Sequence, residues 1–185
     1  MMHRMFTQAM FFAIVTLMLS GCLIGKLSAP DLPQKFNQPS PVSMIEINGL
    51  KLGLPKGWKS VAVPKGYKKS GGIIQLEHKK HGSITIYKAP AMADARYGKL
   101  FIQTMVEEMM PDYEENGGAY ALKSGAIIQI YKGTIKVGSE RVKFFYYGSY
   151  NISQGMTEYF IHSMQVNKKS KDRAFYDFIA IANSI

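Results

Sequence analysis

Apolar and polar residues alternate along much of the chain between residues 43 and 89, and a period of two is typical of β-strands with one buried face. The Asn48-Gly49 pair favours a tight type I′ turn, because both residues tolerate positive φ angles. The pattern predicts, in order, a hairpin over Ser43 to Leu54, a short strand from Trp58 to Val63, a loop from Pro64 to Gly72, and a second hairpin formed by Ile73 to His78 and Ser83 to Ala89.

The second half of the chain changes period twice. From about Ala95 to Met110, apolar residues recur at helical spacing, and Asp94 is in position to cap that helix. Further on, the pattern predicts strands at residues 126–132, 142–150 and 156–166 and a last helix from Asp172 to Ile185. The last two strands are apolar on both faces, as central strands usually are. We therefore predict an α+β fold, in which a central antiparallel sheet carries helices on both faces in an α/β/α sandwich.

The first 21 residues follow a different pattern. A short start with Arg4 and no acidic residue precedes an apolar run, Ala9 to Leu19. Eleven helical residues span only about 16 Å, which is too short for a stable membrane crossing. The run ends in Leu19-Ser20-Gly21-Cys22, where small residues precede the cysteine. This pattern predicts a secretory signal peptide over residues 1–21.

The Leu19-to-Cys22 quartet resembles the lipobox of bacterial lipoproteins. The resemblance implies cleavage between Gly21 and Cys22, and attachment of acyl chains to Cys22 that hold the chain to a membrane. In such proteins an Asp after the cysteine commonly retains the protein at the inner membrane. Leu23 stands there, so the expected location is the periplasmic side of the outer membrane. An ordinary secretory signal before a chance cysteine, or an uncleaved apolar anchor, are the alternatives.

Composition predicts one domain behind a tether. Removing 21 of 185 residues leaves 164, enough for one hydrophobic core. Residues 22–42 contain four prolines and no apolar period, which predicts a lipidated, flexible tether. Residues 43–185 would form the single α+β domain. Cys22 is the chain's one cysteine, so no disulfide can form within the chain.

Positive charge is concentrated in one stretch. The chain has a formal net charge of +10, and residues 51–99 contain eleven Lys or Arg against Glu77 and Asp94. Contact with an anionic lipid or an acidic envelope protein is the hypothesis, and a merely solvated surface is the alternative. Nucleic acid is a poor candidate, because the expected compartment contains none. Seven lysines in or beside predicted turns would make this contact: Lys56, Lys59, Lys65, Lys68, Lys69, Lys79 and Lys80.

The order of elements resembles the PsbP-like superfamily. The similarity rests on an opening hairpin that ends in Leu54-Pro55-Lys56-Gly57-Trp58, a mid-chain helix, an aromatic sheet and a last helix that ends in Ile181-Ala182-Asn183-Ser184-Ile185. This resemblance implies an α/β/α sandwich that acts as a non-enzymatic accessory or binding module. No functional residue of that family can be transferred to this chain.

Sequence signals of catalysis and metal binding are weak. The chain has no G-x-S-x-G, H-E-x-x-H, phosphate loop or C-x-x-C. His78 and His81 could share a metal, but two ligands make a weak site, and polar turn residues are the simpler interpretation. His162 could act as a base, although a hydrogen-bonded core histidine is more common. We predict no catalytic residue, no metal site and no cofactor.

An acidic cluster and an aromatic stripe complete the candidates. The cluster could bind a cation weakly or a basic partner, but a solvated helix end and loop is the simpler and preferred interpretation. The aromatic strands could line a ligand groove, although they suit a core. The acidic residues are Glu107, Glu108, Asp112, Glu114 and Glu115.

These patterns favour a non-catalytic accessory lipoprotein that is anchored through Cys22 and binds an envelope partner. A carrier of a lipid or another hydrophobic ligand is the first alternative. A hydrolase with a dispersed active site is the second.

Overall fold

The computed structural model describes residues 40–185, except for residues 92, 95, 111, 138, 155 and 166–170. The predicted signal peptide, Cys22 and the tether as far as Pro39 lie outside the described residues. The elements are β1 (Val42–Ile47), β2 (Leu50–Pro55), β3 (Lys59–Val61), α1 (Lys65–Lys69), β4 (Gly72–His78), β5 (Gly82–Lys88), α2 (Tyr97–Met109), β6 (Glu114–Ala121), β7 (Ile127–Val137), β8 (Glu140–Ser153), β9 (Met156–Gln165) and α3 (Lys171–Ala182).

Seven strands form one sheet in the order β3-β4-β5-β9-β8-β7-β6, with every neighbouring pair antiparallel. β9 lies in the centre, between β5 and β8, and β8 lies next to it. These are the two strands whose apolar residues face both ways, because each face of the sheet is covered. The prediction that they are central is confirmed.

The two faces of the sheet carry separate cores. On one face, α3 and the β1-β2 hairpin pack against the sheet around Leu52 and Phe178, both fully buried. On the other face, Ile102 and Val106 of α2 are buried against β8 and β9. Burying a side chain of this size contributes about 1.5–3 kcal/mol. The predicted α+β sandwich, with helices on both faces, is confirmed.

The first hairpin turns as its sequence predicts. Asn48 and Gly49 have φ angles of 52° and 77°, and they connect β1 to β2. The Asn48 side-chain amide also donates to the carbonyl oxygen of Ile73, at 2.9 Å. The turn residue therefore joins this small two-stranded sheet to β4 of the main sheet.

Two glycines allow α2 to approach the sheet closely. A Cβ atom on Gly98 of the helix would lie 2.5 Å from the Tyr150 ring, and one on Gly148 of β8 would lie 2.6 Å from Ile102.

At the start of α2, the Asp94 carboxylate accepts hydrogen bonds from the backbone N–H groups of Arg96 and Tyr97, at 2.8 and 3.2 Å. Asp94 thus pairs two N–H groups at the helix start, as predicted, although the N-cap residue itself is Arg96, whose side chain makes no capping hydrogen bond.

Three elements differ from the sequence prediction. The short helix α1 occupies part of the predicted loop, and it has no buried residue that would give it an apolar period. β6 is not among the predicted strands; the pattern predicts a helix end and loop at Glu114 and Glu115, and glutamates and glycines are unfavourable in strands. It forms because its backbone pairs with β7, which extends to Val137. α3 ends at Ala182 rather than Ile185.

Candidate functional site

A buried carboxylate organises the end of the domain at which the described chain begins. Asp177 of α3 is 2% exposed, and donors from three separate segments converge on it. The Ser40 hydroxyl donates to Oδ1. The Trp58 indole N–H donates to Oδ2 at 2.8 Å, and His81 Nδ1 lies 2.7 Å from the same oxygen. Because a carboxylate only accepts, His81 carries its proton on Nδ1. We call this region the tether end.

The contacts of Asp177 hold the tether end together. Ser40 lies just before β1, Trp58 just before β3, and His81 in the turn between β4 and β5. Arg173, one helical turn before Asp177, places its Nε atom 3.8 Å from Oδ1. A carboxylate and imidazole pair also orients catalytic histidines. Here the carboxylate joins the chain entry, two strands and the last helix, which supports a structural role.

His78 and His81 stack on one another, with ring centroids 4.0 Å apart. His78 Nδ1 accepts the backbone N–H groups of Lys80 and His81, at 3.1 and 3.0 Å. Burial, followed by the neighbouring His81, lowers the pKa of His78. Both Nδ1 atoms are therefore engaged in hydrogen bonds, so only the two Nε2 atoms are left as potential metal ligands. The described part of the chain holds no group of three or more potential metal ligands.

The seven lysines fall into two groups at opposite ends of β4. Four lysines lie at the tether end, and all four are exposed. Lys56 is between β2 and β3, Lys59 is opposite Glu77 in the β3-β4 strand register, and Lys79 and Lys80 are in the β4-β5 turn.

The other three, Lys65, Lys68 and Lys69, are on α1, before the start of β4. We call that region the far end. Seven strand residues separate the two groups by roughly 20 Å. All seven lysines are predicted to make one contact, whereas the structure places them in two separate groups.

His162 is a core residue. It is 5% exposed, its Nε2 atom lies 3.1 Å from the Tyr87 hydroxyl, and its ring packs 5.6 Å from that of Tyr146. Burial lowers the pKa of His162 to about 4, so the ring is neutral at pH 7. Among the described atoms, His162 Nδ1 and the Tyr146 hydroxyl have no hydrogen-bond partner. The geometry matches the simpler of the two sequence interpretations, a hydrogen-bonded core histidine.

The acidic cluster does not converge in the described residues. Glu107 accepts hydrogen bonds from Gln103 and from the Tyr113 hydroxyl, at 3.2 and 3.3 Å. Asp112 lies 3.9 Å from Arg141, and both of these side chains are more than half exposed. Glu114 and Glu115 belong to β6. Glu107 and Asp112 thus make separate exposed contacts, which favours a solvated surface over a cation site.

Sequence reasoning overlooked Asp177, Trp58 and Ser40. A signal for the first existed, because Asp177 is a carboxylate set among the apolar residues of α3, and buried charges need partners. The partners could not be identified from the sequence, since 119 and 137 residues separate Trp58 and Ser40 from Asp177.

Fold and site together define the protein as an α+β sandwich domain whose chain enters beside a cationic end. No family model matches the chain, and no curated protein matches it. Among solved structures, it is similar to LpqN, described as involved in cell envelope biogenesis of Mycobacterium tuberculosis. That match has 12% identity and a TM-score of 0.46, and it covers 77% of this chain and 83% of that chain. Such a likeness carries no argument about function. The PsbP-like resemblance gains no support from these comparisons and stays a prediction.

No helix in the described part of the chain is both long enough and apolar enough to cross a bilayer.

Proposed function

We propose that this protein is a non-catalytic accessory lipoprotein of the bacterial envelope, anchored through acyl chains on Cys22, whose tether end docks on an anionic membrane surface. One observation carries the proposal. Ser40, within the predicted tether segment, is hydrogen-bonded to Asp177, and four of the seven lysines lie at the same end of the domain. A lipid on Cys22 would therefore keep this end nearest to the membrane.

The electrostatics of the tether end support docking on anionic lipid. Lys56, Lys59, Lys79 and Lys80 outnumber the carboxylates beside them, Glu77 at the surface and the buried Asp177. Each lysine near an anionic bilayer contributes about 1 kcal/mol at low salt. The attraction fades within a Debye length of about 8 Å at physiological salt, so the tether must hold the lysines close to the headgroups.

Vesicle sedimentation tests the docking. The chain from residue 22, with Cys22→Ser to prevent acylation, would be mixed with vesicles of phosphatidylglycerol and phosphatidylcholine or of phosphatidylcholine alone. We expect salt-sensitive binding to the anionic vesicles only. The tether-end triple variant Lys56→Gln/Lys79→Gln/Lys80→Gln should lose about 3 kcal/mol, roughly a hundredfold in partitioning at low salt.

The far end provides a control with the same change in charge. The far-end triple variant Lys65→Gln/Lys68→Gln/Lys69→Gln removes three charges from α1 and should reduce binding much less. Equal losses in the two triple variants would show that net charge, and not orientation, governs binding. No preference for anionic vesicles would exclude membrane docking and favour an acidic protein partner.

The lipid anchor is tested by the intact mass of the protein extracted from membranes. An unmodified Cys22 would contradict the anchor.

A further inference from the structure

A groove of about 580 Å³ opens at the far end of the domain. The groove is lined by residues of the β1-β2 turn, of the segment before α1, of the ends of β4 and β5, and by Tyr159 of β9. Its volume is within the range of small-molecule sites. Five of its lining side chains are apolar or aromatic: Leu50, Ala62, Val63, Ile73 and Tyr159.

Two lysines, Lys68 and Lys88, line this groove. Gly71 donates its backbone N–H to the carbonyl oxygen of Lys68, at 3.3 Å, and its own carbonyl oxygen accepts the N–H of Lys88, at 3.4 Å. A single residue therefore connects the backbones of the two lysines. Gly71 has a φ of +88°, a conformation that glycine adopts without strain. The backbone therefore holds both lysines at the same part of the groove, on either side of Gly71.

The lining of the groove selects for negative charge. The two lysines are its charged residues, and no carboxylate is among the residues that line it. Two other grooves on the described surface differ, because Glu77 lines one and Asp112 lines the other. An anion in the groove would be attracted by both lysines and repelled by no lining carboxylate. The apolar wall, in turn, suits a hydrocarbon chain.

We propose that the far-end groove binds a single-chain anionic amphiphile, with its carboxylate or phosphate at Lys68 and Lys88 and its hydrocarbon chain along the apolar wall. This function is separate from docking at the tether end, since none of the tether-end lysines lines the groove. A domain docked through its tether end would hold the groove away from the membrane, open to ligands in the aqueous compartment.

Calorimetric titration with decanoate tests the site, because decanoate is monomeric at the concentrations required and carries one charge. The unacylated chain from residue 22 should bind one decanoate. Decanol, which has the same chain without the charge, should bind at least several-fold more weakly. The pair variant Lys68→Gln/Lys88→Gln should raise the Kd about tenfold, since each exposed ionic contact is worth up to about a factor of five.

The helix that supplies Lys68 also provides the matched control. The control variant Lys65→Gln/Lys69→Gln also removes two positive charges, both from residues of α1 that do not line the groove. It should change the Kd for decanoate by less than twofold. NMR shift changes should centre on Ile73, Lys88 and Tyr159. The proposal is overturned if decanoate does not bind, if decanol binds equally well, or if both pairs have equal effects. Vesicle binding through Lys68 and Lys88 without decanoate binding would make the groove a membrane contact and also overturn it.

Discussion

Replacing Asp177 with Asn should destabilise the domain strongly. The change keeps the size of the side chain but replaces one acceptor oxygen with an amide group, which would face donors. The carboxylate accepts from Ser40, Trp58 and His81, and it is 2% exposed, so water cannot take the place of a lost partner. We expect the tether end to lose its connection between α3 and the two strands.

The magnitude follows from the number and kind of these contacts. A hydrogen bond to a charged group contributes about 1.5–3 kcal/mol. Three such bonds are offset by the cost of removing the carboxylate from water, and disrupting a buried ionic network costs about 3–5 kcal/mol in comparable cases. Asn retains one acceptor oxygen, so we expect Asp177→Asn to lower the free energy of unfolding by about 3 kcal/mol.

Urea unfolding followed by tryptophan fluorescence measures this loss directly. Trp58 is the chain's one tryptophan, and its indole N–H is bonded to Asp177, so the signal reports on the site itself. Asp172→Asn, an exposed carboxylate on the same helix, is the control and should change stability by less than about 0.5 kcal/mol. If Asp177→Asn were as mild as the control, the buried network would contribute no net stability, and the reasoning would be refuted.

Two further predictions concern the opposite face of the sheet. Burial lowers the pKa of His162 to about 4 from 6.5, so its contribution to stability is complete above pH 6.5 and is lost as pH falls toward 4. In urea unfolding at a series of pH values, the wild type should lose up to about 3 kcal/mol of unfolding free energy over that window relative to His162→Phe. The same pH dependence of stability in both proteins would contradict this. Gly98→Ala should lower the free energy of unfolding by about 1–3 kcal/mol, measured by thermal unfolding, because the new methyl group would lie 2.5 Å from the Tyr150 ring. At Gly66 an added methyl group would meet no atom within 4 Å, so Gly66→Ala should be neutral or slightly stabilising.

Local chemistry made much of the fold predictable. The Asn48-Gly49 turn, the Asp94 cap and the two-sided apolar strands β8 and β9 each follow from residues a few positions apart. β6 could not be predicted in the same way. Its residues have little intrinsic preference for a strand, and it exists because the neighbouring β7 offers a partner for its backbone.

Periodicity and composition were enough to predict the α+β class, the order of most elements and the excess of positive charge in residues 51–99. Which of those charges lie together depends on tertiary packing. Antiparallel pairing of β3, β4 and β5 sends neighbouring turns to opposite ends of the sheet, so lysines close in sequence separate into two groups. Tertiary packing also brings the backbones of Lys68 and Lys88 together through Gly71, and it places Ser40 beside Asp177 of the last helix. Such contacts depend on how strands and helices pack and not on distance along the chain.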